Sequence, residues 1–306
     1  MTFDYPGKGR YSDACVACGS PKLRDEWTVT SPFFARRALL RDPHVVILKQ
    51  CLDCETRYFD FMASDQELQR LYADYRGENY FQQRHGFEPW YTKSLNDGMG
   101  GDEEMEKRRK VLLSALGRAN IPNSFSSVLD HGGDRGQMLR NLAAPRKAVY
   151  DISGVGADPG IEKVGETTIR STSWNLILSC HVLEHLTDPA AYIDDLKSLG
   201  QSGSTYFIEV PNEPARSASF NASAAQRRWL IWLCTRPQLL RFFDFVSTGV
   251  RARFGMIPPF CFFPLREHLS FFSVKGLISM LQKRGLDVQF AGVMSSGHIA
   301  IIAKLP

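Results

Sequence analysis

Val128-Leu129-Asp130-His131-Gly132-Gly133-Asp134-Arg135-Gly136 is the stretch on which the fold turns. An apolar step ends on an acid and enters a glycine-rich turn. The helix-like segment Gln137-Met138-Leu139-Arg140-Asn141-Leu142 follows, and a second apolar step, Ala148-Val149-Tyr150, ends on Asp151. Strand, glycine turn, helix and strand make the opening βαβ unit of a nucleoside-cofactor fold. Glycines let the backbone close tightly and approach a ligand, and an acid about 20 residues further on suits ribose hydroxyls. Any tight turn also uses glycine, so the weight falls on Asp151 and on the segment near residue 180.

That segment is Trp174-Asn175-Leu176-Ile177-Leu178-Ser179-Cys180-His181-Val182-Leu183-Glu184-His185-Leu186-Thr187-Asp188-Pro189. Here the chain resembles the class I S-adenosylmethionine-dependent methyltransferases, in the branch that carries such a run after the fourth strand. Asp130 to Gly136 match the glycine-rich first motif and Asp151 the acid closing the second strand. Phe207-Ile208-Glu209-Val210-Pro211-Asn212 match the fifth strand and its exit, and His268-Leu269-Ser270-Phe271-Phe272-Ser273 the run before the last helix. The resemblance implies an α/β fold with a Rossmann-like sheet and S-adenosylmethionine as cofactor. Its contacts are expected at Asp130, Gly132, Gly133, Gly136, Asp151, Cys180 and His181, with Asp130 toward the methionine ammonium and Asp151 toward the ribose. The chain departs from the pattern at Asp134, where the family has its middle glycine. It departs again between Asp151 and Asn175, where Gly154, Gly156, Pro159, Gly160 and Gly165 leave little room for a full helix and a strand.

At 306 residues the chain can hold one sizeable core and a smaller module. A composition 43% hydrophobic and 23% charged is that of an ordinary globular protein, and a net charge of +4 permits anionic substrates without demanding nucleic acid. The N-terminus lacks an apolar signal core, and no apolar run reaches the roughly 18–20 residues that span a bilayer, so a cytoplasmic location is expected.

Four of the seven cysteines form two pairs, Cys15-x-x-Cys18 and Cys51-x-x-Cys54. This spacing lets two thiolates of each pair face one ion, and four sulfurs fill the tetrahedron of a structural zinc. Two separate buried thiol pairs are the alternative. The expected organisation is a zinc-ribbon module over 1–63, a helical and aromatic connector over 64–100, and the methyltransferase domain over 101–306. In the connector Ser64 and Glu67 form a capping box, and the Tyr-rich stretch from Tyr75 to Tyr91 reads either as an acceptor-binding wall or as packing. Asp102 to Ala119 is an amphipathic helix. Ala190 to Leu199 is another, and Ser273 caps a third over Val274 to Arg284. Asp287 to Met294 and His298 to Lys304 are strands of an antiparallel C-terminal hairpin. The insertion 211–267 mixes aromatic residues with arginines between 227 and 263. It reads as a lid over the acceptor, as a peripheral membrane contact at the inner face, or as core packing.

Methyl transfer to a hydroxyl needs a positioned acceptor and a base, or a metal that lowers the hydroxyl pKa. His181, Glu184 and His185, at i, i+3 and i+4, fall on one helical face. They resemble the Glu-x-x-Glu-His metal pattern of ubiquinone and small-RNA O-methyltransferases, with His181 in place of the first Glu; a structural hydrogen-bonding pair is the favoured alternative. Glu267 and His268 resemble the Glu-His pair of deoxysugar C-methyltransferases, which also begin with a cysteine-rich zinc module. The family's tyrosine falls at Leu265, and its large C-terminal domain does not follow in this sequence. His268 is therefore expected as the base, oriented by Glu267, in methyl transfer to a hydroxyl of a nucleotide- or lipid-linked sugar in surface polysaccharide biosynthesis. Sugar C-methylation, and a methyltransferase fold kept only for binding, are the competing readings. No nucleic-acid partner is expected.

Overall fold

The computed structural model describes residues 13–152, 155–213 and 215–306; Gly154, named above as a helix breaker, and the first twelve residues of the 1–63 module lie outside them. The strands are, in chain order, β1 (Leu23–Val29), β2 (Val45–Cys51), β3 (Arg57–Phe59), β4 (Ser127–His131), β5 (Arg146–Tyr150), β6 (Glu162–Lys163), β7 (Trp174–Cys180), β8 (Gly200–Pro211), β9 (Arg216–Ser217), β10 (Met256–Ile257), β11 (Ser270–Phe271), β12 (Asp287–Val293) and β13 (His298–Lys304). The helices are α1 (Pro32–Arg37), α2 (Asp65–Tyr72), α3 (Glu78–Phe87), α4 (Lys93–Gly98), α5 (Asp102–Arg118), α6 (Glu166–Arg170), α7 (Pro189–Ser198), α8 (Ala224–Cys234), α9 (Pro237–Phe254) and α10 (Val274–Lys283).

Two compact units emerge, and their limits differ from those read in the sequence. Of the described residues, one takes those up to Cys15, Gly19–Met99 and Glu213–Phe271; the other takes Val16–Cys18, Gly100–Asn212 and Phe272–Pro306. The insertion thus folds with the N-terminal segments. In that first unit the sheet runs β1-β2-β3-β11, antiparallel throughout. Leu230, Leu233, Leu240 and Phe262 of the insertion are fully buried with Val29 of β1, so this part of the insertion supplies core. Leu239, Phe242, Phe245 and Phe254 of α9 remain exposed. The capping box forms as expected: the Ser64 hydroxyl accepts from the Glu67 N–H, and the Glu67 carboxylate accepts from the Ser64 N–H.

The second unit is built on a seven-stranded sheet of order β12-β13-β8-β7-β4-β5-β6. β4 pairs in parallel with both β5 and β7, β7 with β8 and β5 with β6, whereas β13 runs antiparallel between β8 and β12. The buried run Leu176, Ile177, Leu178 shows why β7 takes the centre: a strand covered on both faces has no polar alternation. The crossovers from β4 to β5 and from β5 to β6 are reduced. Only a single 3₁₀ turn, Gln137–Leu139, stands where a helix-like segment was expected, and a five-residue helix, α6, follows β6. Ser273 caps α10 by accepting from the Gly276 N–H. No described helix is long and apolar enough to cross a membrane.

Leu178→Ala should cost about 2–5 kcal/mol, the usual range for emptying a packed leucine site; denaturant unfolding followed by circular dichroism will show it as a lowered midpoint.

Candidate active site

The strand order reverses beside β4, and ligands of open α/β sheets bind at the carboxyl ends of the strands at such a switch point. Here β4 delivers Asp130 and the chain leaving β5 delivers Asp151. Gly132 has φ +77°, and a Cβ there would lie 2.5 Å from Val182 Cγ2; at Gly133 a Cβ would lie 2.1 Å from the Asp130 carboxyl carbon. Both positions therefore exclude a side chain, one for its conformation and its neighbour, the other so that the loop can fold over the acid. Asp134, which stands where the family's middle glycine is expected, takes φ 53° itself. Asp and Asn tolerate the left-handed region better than other side chains, so the turn keeps its shape. The Asp134 N–H donates to Asp151 Oδ2 at 2.9 Å, fixing one carboxylate oxygen to the glycine-rich loop.

Asp130 is fully buried, and neither of its oxygens has a hydrogen-bond partner among the described residues. Burial pushes its carboxyl up to about 7, against the pull of the Arg108 charge and with Asp151 and Glu209 adding to the rise. A buried acid without a donor calls for a cationic or hydrogen-bonding ligand. Beside it lies a cavity of about 250 Å³ whose lining includes Gly132, Asp151, Ile152, Val182, Leu186 and Tyr192. An acid at its edge and an otherwise largely apolar wall suit a nucleoside.

The sequence placed His181, Glu184 and His185 on one helical face; the structure corrects this. β7 ends at Cys180, His181 takes φ 58°, and Leu183–His185 is a single 3₁₀ turn. The i, i+3, i+4 spacing looked helical, but the chain turns away instead. Glu184 is buried, and its Oε1 lies 3.4 Å from His181 Nδ1 and 3.9 Å from His185 Nε2. The other ring nitrogen of His181, Nε2, is 3.3 Å from His298 Nδ1 and 3.7 Å from Glu209 Oε2. Glu209 sits on β8 with no exposure, its Oε1 3.2 Å from His298 Nδ1 and its Oε2 accepting from Arg108 Nε at 2.9 Å. Burial opposes its ionisation, but the bond from His298 and the Arg108 charge hold its pKa below the usual carboxylate value. Cys180, one residue earlier, is buried, and burial raises its thiol far above the ordinary range. Glu209, His298 and Arg108 were not singled out in the sequence; an acid inside the apolar run Tyr206–Val210 could have marked Glu209, whereas His298 and Arg108 carried no local signal.

In the first unit Glu267 and His268 line a polar cavity of about 160 Å³ with Arg84, Glu213, Arg251 and Arg266. The partner holding His268 Nδ1 is Glu213, at 2.7 Å, a residue the sequence did not single out. Glu213 also pairs with Arg251 at 2.8 Å. Burial opposes its ionisation, yet the bond from His268 and the charges of His268 and Arg251 hold it at about 2. Glu267, expected to orient the imidazole, instead accepts from Arg84 Nη1 at 2.7 Å and from the Tyr80 hydroxyl. Burial pushes it up to about 7. Arg84 and Arg266 share Glu88, and Arg266 also reaches Asp244.

At the N-terminal end the Sγ atoms of Cys15, Cys18, Cys51 and Cys54 lie within 4.8 Å of one another. The Cys15–Cys54 separation is 3.6 Å. Tetrahedral zinc with bonds of about 2.3 Å sets its sulfurs about 3.8 Å apart, so the cluster fits that ion.

A family described as a methyltransferase domain matches residues 102–289, well over half of the chain, and the chain belongs to it. With the strand order above, this is the class I S-adenosylmethionine-dependent methyltransferase fold. No curated protein matches the chain. Solved structures similar to it include the magnesium protoporphyrin IX methyltransferase of Synechocystis with bound S-adenosylhomocysteine, at 12% identity, covering 78% of this chain and 93% of that one with a TM-score of 0.40. Another is the N-methyltransferase NodS of Bradyrhizobium japonicum, at 13% identity, 67% and 98% coverage and a TM-score of 0.36. An S-adenosylmethionine-dependent methyltransferase from Mesorhizobium loti gives 12%, 61% and 94%, and 0.37.

A cationic ligand favours the ionised form of Asp130. Binding of S-adenosylhomocysteine near pH 7 should therefore release a proton, and affinity should rise between pH 6 and 8 as the free carboxyl, at about 7, ionises. Calorimetry in buffers of different ionisation enthalpy measures both; pH-independent binding without proton release would sink the assignment of Asp130.

Proposed function

We propose that this chain transfers the methyl group of S-adenosylmethionine to a hydroxyl of a nucleotide- or lipid-linked sugar. The observation carrying the donor half is the unpartnered, buried Asp130 folded under Gly133. Asp130 would receive the methionine ammonium and Asp151 the ribose hydroxyls. Ile152, a residue 92% exposed at the cavity, would cover the base. Gly136, Cys180 and His181, expected on the donor side, are not among the residues lining this cavity. The donor supplies an electrophilic methyl group when bound; the residues of the chain orient it and keep water out.

The acceptor half rests on the polar cavity around His268. Its guanidinium groups suit the phosphates of an activated sugar. The Glu213–His268 pair has the form of a general base held by a carboxylate at Nδ1. Glu267 shapes the cavity wall from its place on Arg84. The reading of a catalytically silent binding protein leaned on Asp134 and on the short crossover. Asp134 adopts the glycine conformation and serves Asp151 through its backbone, so only the reduced crossover still favours that reading. The cysteine cluster holds a structural zinc in this proposal. The membrane reading keeps as support the exposed Phe242, Phe245 and Phe254 on a helix with Arg241 and Arg253.

Two outcomes follow. Elemental analysis of the purified protein should give one tightly held zinc per chain, lost in Cys51→Ser together with thermal stability, because metal binding and folding are coupled; a metal-free wild type of unchanged melting temperature would remove the zinc site. With activated sugars and labelled donor, His268→Asn should depress turnover about 10²–10⁴-fold, the usual contribution of a positioned base, with donor affinity unchanged. Full turnover in that variant would assign the chemistry elsewhere.

A further inference from the structure

His181, Glu209 and His298 come from three separated points of the sequence: the turn after β7, the interior of β8 and the start of β13. Sheet register brings them together. Glu209 stands opposite Cys180 across the β7–β8 pair, and the His181 N–H donates to the Glu209 carbonyl at 2.8 Å. His298 begins the strand that runs beside β8 on its other side. Two ring nitrogens and the two oxygens of one carboxylate thus converge, with separations of 3.3 Å between His181 Nε2 and His298 Nδ1, 3.2 Å between His298 Nδ1 and Glu209 Oε1, and 3.7 Å between His181 Nε2 and Glu209 Oε2. Taken as one ligand atom from each residue, they lie within 4.8 Å of one another.

We propose that His181, Glu209 and His298 bind one divalent transition-metal ion, at a site separate from the cysteine cluster. Nitrogen and oxygen ligands bonded at about 2.0–2.2 Å to a tetrahedral ion stand about 3.3–3.6 Å apart; the two pairs that share His298 Nδ1, at 3.2 and 3.3 Å, lie close to that spacing. Two imidazoles and a carboxylate suit zinc, iron or cobalt rather than magnesium or calcium. The surroundings are those of a metal ligand set. Glu184 Oε1 lies 3.4 Å from the far ring nitrogen of His181, the outer carboxylate that fixes a ligating histidine's tautomer and leaves Nε2 to face the ion. Arg108 occupies Glu209 Oε2 and leaves Oε1 toward His298. The left-handed backbone of His181, at φ 58°, aims its ring, a conformation that residues other than glycine seldom adopt. Both histidines are about one-fifth exposed at their side chains, so three protein ligands leave a coordination position open to solvent or substrate, as in catalytic rather than structural sites. This deepens the methyltransferase reading and rests on it: the open position, at the carboxyl end of β7, would take an acceptor oxygen and lower the pKa of its hydroxyl.

Cobalt(II) added to the zinc-loaded wild type tests it. One Co²⁺ per chain should bind with visible d–d bands and no thiolate charge-transfer band, because no sulfur takes part. His298→Asn should weaken that binding at least tenfold, since even outer partners of metal ligands act on a scale of about 10–100-fold. His181→Asn should do the same, and serves if the first variant folds poorly. Calorimetric binding of S-adenosylhomocysteine to the same samples separates this proposal from the one it rests on: Co²⁺ uptake without donor binding would leave the metal site standing and remove the methyltransferase reading. No Co²⁺ uptake by the wild type, or equal uptake by well-folded His298→Asn and His181→Asn, would overturn the metal site and leave a hydrogen-bonded histidine pair.

Discussion

Three acids stand at or near the carboxyl ends of strands in the seven-stranded sheet, and two of them, Asp130 and Glu209, must be stabilised where water does not reach. Asp151 takes the Asp134 N–H. Glu209 takes Arg108 and His298. Asp130 has neither, and its proton affinity rises accordingly. Uncompensated burial of a carboxylate costs several kcal/mol, so this edge of the sheet is poised to accept positive charge. The partners already present explain much of the local architecture. α5 carries Arg108 to Glu209, the glycine loop is tied to Asp151, and the turn before β13 is closed by the Met294 N–H on the His298 carbonyl at 2.8 Å.

The first unit solves a related problem differently. Its cavity holds arginines against glutamates and an aspartate at 2.6–3.1 Å, a network in which removal of one member leaves another charge buried without its partner. Glu213 is held at about 2 by His268 and Arg251, whereas Glu267 is pushed up to about 7 because its burial outweighs the cations near it. The two acids therefore differ in protonation near neutral pH, the condition for one to hold an imidazole and the other to shape a cavity.

Local signals were legible in the sequence and distant ones were not. Ser64 with Glu67, and Ser273, announced their helices because a cap acts within a single turn. β13 was placed to the residue by its apolar run and by the Ser295-Ser296-Gly297 turn. The cofactor edge was readable because Asp130, the glycines and Asp151 belong to one short unit. The run from His181 to His185 misled because a periodicity of three and four residues does not distinguish a helix from a tight turn followed by a 3₁₀ turn. Glu213 and His298 were invisible as partners since nothing near them in the chain points to His268 or His181. The part of the insertion that packs on Val29 looked like a surface feature because its aromatic residues sit among arginines, and only the packing of Leu230 and Phe262 shows which side of it is core.

The antiparallel sheet of the first unit is not continuous in sequence. β1, β2 and β3 are complete by residue 59, yet the sheet is finished by β11 at Ser270–Phe271, the Leu265 N–H bonds the Val29 carbonyl, and the Phe59 N–H bonds the Leu269 carbonyl. During synthesis the ribosome therefore delivers the whole of Gly100–Asn212 before the earlier sheet can close. Contacts of such sequence separation are slow to form, because the entropy of a long loop must be lost first. The hydrophobic segments Phe33–Ala35 and Val46–Leu48 spend that interval without their final cover, exposed to chaperones and to aggregation. Neither unit can be expressed as a single contiguous fragment, and a chain interrupted before residue 271 would leave both unfinished.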